Sequence, residues 1–332
     1  MTDNRKKGRA GSVLRTIILV IALGVFCFSA YKLITIYLDY KQGSDEYTAL
    51  EKYADLQNQV EPEIPEDEEE PELSDEEIGD GLLLDSGETA ESREEAESGE
   101  NASREGESDA EEGETQNYTY ETEVDKETGK VTKKKIYYMT SPVDFDSLKE
   151  INEDIIGWLK VGALDLSYPI TQAEDNDYYL HRTFERVDNF AGCIFMDYQN
   201  HLNFLDDNTM IYGHNMKDGS MFGTLRKFLE EGVYDSDPYF WIYTPKRIYK
   251  YHIFNCTTVG TVSTTYTLNF GTRQAFQDYL DVAVEQAEVE TDEMTLDSGD
   301  KIATLSTCTG DTSTRFVVQG KLERIYAVYE TD

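Results

Sequence analysis

Cys308 closes the run Lys301-Ile-Ala-Thr-Leu-Ser-Thr-Cys308, whose β-branched and apolar content reads as a strand. Alternation along it puts Ile302, Thr304, Ser306 and Cys308 on one face and Ala303, Leu305 and Thr307 on the other. The thiol therefore sits where a strand ends. After the six residues Thr309-Gly-Asp-Thr-Ser-Thr314 comes Arg315, opening a second strand-like run, Phe316 to Leu322. A hairpin-like return between the two runs brings the guanidinium near the sulfur. A cation beside a thiol favours the thiolate, and a five-donor fork can hold the oxyanion formed when sulfur attacks an amide carbonyl. Such chemistry also needs a proton acceptor. Of the four histidines, His252 alternates within a strand, His201 lies in a polar loop and His181 follows tyrosines. His214, in Thr209-Met-Ile-Tyr-Gly-His-Asn215, follows a strand directly, and Gly213 allows a turn that presents the ring into a cleft.

The other cysteines read differently. Cys27 lies in an apolar N-terminal run, while Cys193 and Cys256 sit in strand-like stretches where Cys acts as a small buried hydrophobe. Outside the N-terminal run the count is odd, so at least one thiol stays free or pairs with another chain.

The elements that must position these groups are mostly short strands. Ile194–Met196, Thr209–Tyr212, Phe240–Tyr243, Ile248–Val259, Lys301–Thr307 and Phe316–Tyr329 are each bounded by Gly, Asp, Asn or Pro. Two helices are expected. One covers Ser147–Asn152, and the other covers Thr272–Ala287 with Phe276, Leu280, Ala283 and Ala287 at helical spacing. The fold class is α+β and mostly β, a closed or nearly closed barrel with peripheral helices, since closure hides the edges of so many short strands.

Thr304-Leu-Ser-Thr-Cys308 followed by Arg315 resembles the signature of sortases, in which Cys, His and Arg form the active site. Asp175-Asn-Asp-Tyr-Tyr-Leu180, Gly192-Cys-Ile-Phe-Met-Asp197 and Tyr212-Gly-His-Asn-Met-Lys-Asp-Gly-Ser-Met-Phe-Gly223 resemble class B sortases in particular, and the likeness covers Asp144 to Tyr329. It implies an eight-stranded sortase-type barrel. It also implies Cys308 as nucleophile, His214 as general acid and base, Arg315 as oxyanion and substrate-orienting group, and Asn176, Leu180 and Ser306 along a peptide groove. The implied partners are secreted proteins bearing a C-terminal sorting motif and a peptidoglycan peptide amine or its lipid-linked precursor. The implied setting is the wall of a Gram-positive cell.

Composition supplies the rest of the layout. Of the net charge of −37, −23 falls between Glu61 and Glu114, where 25 Asp or Glu face two Arg. Such a segment cannot bury enough apolar surface to offset its ordering entropy and reads as an extended, solvated tether. The acidity also speaks against nucleic acid as a partner. Upstream, five basic residues (Arg5, Lys6, Lys7, Arg9, Arg15) precede an apolar run long enough for a bilayer, which places the N-terminus in the cytoplasm and the rest outside. A cleaved signal peptide fits less well, because Phe28-Ser29-Ala30 has a bulky first residue and the run continues beyond it. The expected segments are a basic N-terminus at 1–12, a transmembrane anchor at 13–38, a juxtamembrane segment at 39–60, an acidic disordered linker at 61–139 and a catalytic domain at 140–332. No metal-ligand spacing or Gly-rich phosphate loop occurs, so neither metal nor cofactor is expected. Two rival readings remain: a thiol endopeptidase that hydrolyses rather than transfers, and a non-enzymatic wall-binding domain on an acidic stalk.

Overall fold

The computed structural model describes residues 4–56, 59–62, 64, 117–124, 131–291 and 294–329. The chain divides into two compact units, Met1–Val60 with Thr140–Asp332, and Glu61–Met139. The first begins with helix α1 (Asn4–Leu50), whose 47 residues contain no proline. At 1.5 Å per residue it is about 70 Å long. Apolar side chains from Ile17 to Leu38 face outward, and the helix is long and apolar enough to cross a membrane. It does not stop where the apolar run ends. Its last turns lie against the rest of the unit, where Gly43 stands close to Ala191 and Asn189.

In the second unit, the span expected as an acidic disordered linker, 61–139, takes in two strands at its C-terminal end. There, strands β1 (Tyr118–Val124) and β2 (Val131–Met139) pair antiparallel, with Tyr118 opposite Tyr137. The two rings lie 5.9 Å apart, and Lys135 Nζ stands 3.6 Å from the Tyr118 ring centroid. Cross-strand aromatic and cation–π pairs supply what the acidic stretch lacks. The acidic stretch itself, from residue 65 to 116, lies outside the described residues.

The large unit continues with α2 (Phe145–Ile151), capped by Asp144, whose carboxylate accepts from Ser147 N at 3.0 Å, and buried through Phe145 and Leu148. Then come β3 (Ile155–Val161), β4 (Leu166–Thr171), β5 (Ile194–Met196), β6 (Asn208–Tyr212), the short helix α3 (Val233–Ser236), β7 (Tyr239–Tyr243), β8 (Arg247–Gly260), α4 (Arg273–Glu285), β9 (Ile302–Cys308) and β10 (Thr314–Val328). Strands β3 to β10 form a closed eight-stranded barrel, hydrogen-bonded in the order β10, β8, β7, β3, β4, β5, β6, β9 and back to β10. Two pairs are parallel, β4 with β5 and β6 with β9. Trp158, Phe204, Phe222, Phe240, Tyr251 and Tyr326 are fully buried within this unit. Each such side chain contributes about 2–3 kcal/mol through burial.

Helix α4 starts at the Thr272 cap, whose hydroxyl accepts from Ala275 N at 3.1 Å. Its buried face, Phe276, Tyr279, Leu280 and Ala283, packs with Ile302 and Phe254. Ala287, expected on that face, lies beyond the helix end. Beneath α4 runs a buried polar network. Asn255 Nδ2 donates to Gln319 Oε1 at 2.8 Å, Gln319 Nε2 donates to Tyr279 Oη at 2.7 Å and to Thr304 Oγ1 at 3.0 Å, and Thr304 Oγ1 donates to Asn208 Oδ1 at 2.8 Å. These bonds offset most of the cost of burying the polar groups, although Asn255 Oδ1 is buried with no hydrogen-bond partner.

Candidate active site

The parallel pairing of β6 and β9 sets Tyr212 opposite Ser306. The two chains stay together beyond it. Gly213 N donates to Ser306 O at 3.2 Å, Thr307 Oγ1 donates to Gly213 O at 2.8 Å, and Asn215 Nδ2 donates to Cys308 O at 2.7 Å. His214 and Cys308 are therefore level at the carboxyl ends of adjacent strands. On the other side of β9, the antiparallel register pairs Cys308 with Arg315. Imidazole, thiol and guanidinium thus come from three neighbouring chains with the sulfur in the middle. All three residues are half-buried.

His214 is oriented from behind. Its Nε2 lies 2.7 Å from Leu180 O. A carbonyl oxygen only accepts, so Nε2 carries the hydrogen, and in the neutral ring Nδ1 holds the free lone pair for proton exchange. The ring is also backed by Gly192, at which a Cβ would sit 3.1 Å from His214 Cδ2. Arg315 Nη1 donates to Thr314 O at 2.8 Å and Thr312 O at 3.3 Å. These bonds fix the plane of the fork and leave Nε and Nη2 as donors for an incoming oxygen. The loop that carries the arginine turns through Gly310, at φ 93°. Asp311 holds it, accepting from Ser313 N at 2.8 Å, a bond that keeps the Asp311 carboxyl below its ordinary range.

The three domain thiols differ as their settings dictate. Burial pushes Cys193 up to about 12, and it pushes Cys256 up further. Both are fully buried and free. Cys308, also free, is the partly exposed one, at a strand end beside a cation.

The lesser candidates are distributed around this centre. Ser306 is buried, and its hydroxyl lies 3.0 Å from Tyr266 Oη. Leu180 meets His214 through its backbone. Asn176 stands one step away. Its Nδ2 donates to Asp197 Oδ2 at 2.8 Å and its Oδ1 accepts from Tyr198 N at 3.0 Å, while Tyr212 Oη also donates to Asp197 Oδ2 at 3.0 Å. The Asn176 amide thus ties its loop to the chain just past β5, and through Asp197 to Tyr212 at the end of β6.

Three contributors were not singled out from sequence. Asn215 adjoins His214 in the quoted motif, and Gly192 opens another. Tyr266 carried no signal, since it sits in a threonine-rich turn with no periodicity. Asn208 fixes that turn, donating to Thr265 O at 3.1 Å and Thr267 O at 3.0 Å, on either side of the tyrosine. Burial raises the Tyr266 hydroxyl, whereas the Ser306 bond and then the charge of Arg315 pull it down. Tyr266 is therefore within electrostatic reach of the site.

The chain is also similar to known proteins. Residues 159–323 match the sortase domain model. The chain is 41% identical over 178 residues to sortase B of Listeria monocytogenes, covering 53% of this chain and 72% of that protein. It is 33% identical over 184 residues to sortase B of Staphylococcus aureus, covering 54% and 75%. The Staphylococcus aureus sortase B–substrate complex superposes with a TM-score of 0.51 at 33% identity, over 54% of this chain and 84% of that one. Clostridium perfringens sortase B does so with a TM-score of 0.51 at 31% identity, over 54% and 98%. The chain belongs to the sortase family of cysteine transpeptidases, in its class B.

Proposed function

We propose that this chain is a membrane-anchored transpeptidase that cuts a C-terminal sorting motif of a secreted protein at a Thr carbonyl and passes the acyl group to a cell-wall peptide amine. The observation that carries this reading is the shared register of β6, β9 and β10, which sets His214, Cys308 and Arg315 side by side. Cys308 passes its proton to His214 Nδ1, its sulfur attacks the carbonyl carbon, and the Arg315 fork stabilises the oxyanion. The C–N bond breaks as His214 protonates the departing amine, leaving a thioester. An amino group of a peptidoglycan peptide, or of its lipid-linked precursor, then attacks and gives its proton to His214. The C–S bond breaks and the thiolate returns. A peptide donor is supported by the relative solved with its substrate. Asn176, Leu180 and Ser306 would flank that peptide, the first through its loop and the others beside the reacting atoms.

The apolar part of α1 would serve as a single-pass anchor over 13–38, with the basic residues 1–12 in the cytoplasm and the catalytic domain, 140–332, outside. The acidic stretch within 61–139 would act as a solvated, self-repelling spacer.

The test is full-length protein with Thr-containing pentapeptides and a glycine peptide as acceptor. Wild type should form ligated product, and Cys308→Ala should keep the melting temperature and form none. Ligation by that variant would refute the nucleophile. Cleavage without ligation at saturating amine would instead identify an endopeptidase.

A further inference from the structure

The C-terminal turns of α1 do more than leave the membrane. Asp39 O accepts from Asn189 Nδ2 at 2.9 Å, the Tyr40 ring meets Phe190 edge-on at 4.6 Å, and Glu46 Oε1 accepts from Glu185 N at 2.8 Å. One face of the helix thus grips the segment 185–190. Tyr47, buried, completes the grip one step nearer the site, its hydroxyl donating to Gly192 O at 2.7 Å.

Gly192 is the residue that backs the His214 ring. The next residue continues the support, since Cys193 N donates to Tyr179 O at 2.9 Å, and Tyr179 precedes the Leu180 carbonyl that holds His214 Nε2. A second path leaves Tyr47 through its ring. It meets Tyr168 edge-on at 5.4 Å, Tyr168 Oη accepts from Met221 N at 3.0 Å, and Phe222 N donates to His214 O at 2.9 Å. Both the side chain and the backbone of His214 are therefore held by groups that rest on one tyrosine of the anchor helix.

We propose that Tyr47 is a positioning residue for His214, so that the membrane helix forms part of the active-site support rather than only a tether. The inference rests on His214 acting as the acid and base, and it assigns to α1 a role in the rate of proton transfer. Loss of the Tyr47 hydroxyl frees Gly192 O and loosens the wall behind the imidazole. Donor peptide binding is left intact.

The experiment uses the full chain in lipid nanodiscs, with rates expressed per Cys308 titrated by a methanethiosulfonate reagent, so that any unfolded fraction is discounted. Tyr47→Phe keeps the ring against Tyr168 and removes the hydroxyl, and with it the bond to Gly192 O and the contacts with the Cys193 thiol and the Phe184 backbone. It should lower kcat per site roughly threefold to tenfold, the worth of one buried hydrogen bond. KM for the donor peptide should not move. Tyr168→Phe, which removes the acceptor on the second path, should do the same. Tyr40→Leu weakens helix docking without touching either path, and its kcat per site should stay within twofold of wild type even if it melts earlier. In imidazole-labelled protein, the Nε2 proton of His214 should exchange with solvent faster in Tyr47→Phe than in wild type. Wild-type kcat and exchange in Tyr47→Phe would overturn the proposal, as would an equal loss in Tyr40→Leu. If His214→Ala itself retained turnover, the assignment of the base would fall instead, which separates the two failures.

Discussion

Gly192→Ala should injure both the fold and the chemistry, and the structure sets the scale. Gly192 has φ 59°, where an L side chain costs roughly 1–2 kcal/mol. The added Cβ would also lie 2.7 Å from Tyr179 O and 2.9 Å from Leu180 O. Both are backbone atoms, so no rotamer change relieves the overlap, and overpacking of this kind costs about 1–3 kcal/mol. The sum, about 2–5 kcal/mol, lowers the melting temperature of a domain this size by roughly 4–20 °C. The same displacement moves Leu180 O away from His214 Nε2. A catalytic group misplaced by about 1 Å can lose on the order of a hundredfold in rate. Differential scanning calorimetry and a ligation assay run at 15 °C, where the variant remains folded, measure the two effects separately. A melting point within about 1 °C of wild type together with unchanged kcat would refute the reasoning, because it would mean the 178–193 segment yields at no cost.

Arg315→Lys should fold normally yet lose about 10²–10³ in kcat, since one ammonium cannot both hold the Thr312 and Thr314 carbonyls and present an aligned donor to the oxyanion; ligation kinetics within tenfold of wild type would show that charge alone suffices. Small alkylating reagents at pH 8 should modify Cys308 and spare Cys193 and Cys256, whose thiols are held neutral by burial. Mass spectrometry of native and denatured protein counts them, and rapid native labelling of either buried thiol would contradict the packing.

The sequence was most legible where order is local. Strands β5 to β10 and helices α2 and α4 follow from short β-branched runs, turn residues and caps such as Thr272. Strands β3 and β4 escaped because the second contains Pro169, which argues against a strand until its partner is known, here Trp158 across the ladder. The last turns of α1 were hidden for a related reason. Nothing between Asp39 and Leu50 is strongly apolar, and what keeps it helical is contact with residues 185–192, far off in sequence. The pairing of β1 with β2 was lost within the average composition of an acidic segment, although Tyr118 and Tyr120 alternate.

The same distinction separates the two halves of the site. Cys308 and Arg315 are joined by a short return, so their proximity could be argued from strand alternation alone. His214 reaches them through a parallel ladder whose side-chain clasp, Thr307 to Gly213, spans 94 residues. No periodicity encodes such a pairing, and only the motif resemblance pointed to it. The physical consequence is an asymmetry of support. The thiol and guanidinium stand on a hydrogen-bonded hairpin stiffened from below by Thr304 and Gln319. The imidazole stands just past the end of β6, held by a carbonyl, a glycine and a helix that comes from elsewhere in the chain. Perturbations remote from the reacting atoms should therefore reach catalysis mainly through His214, and the thiol should keep its reactivity toward small reagents when transfer has already slowed.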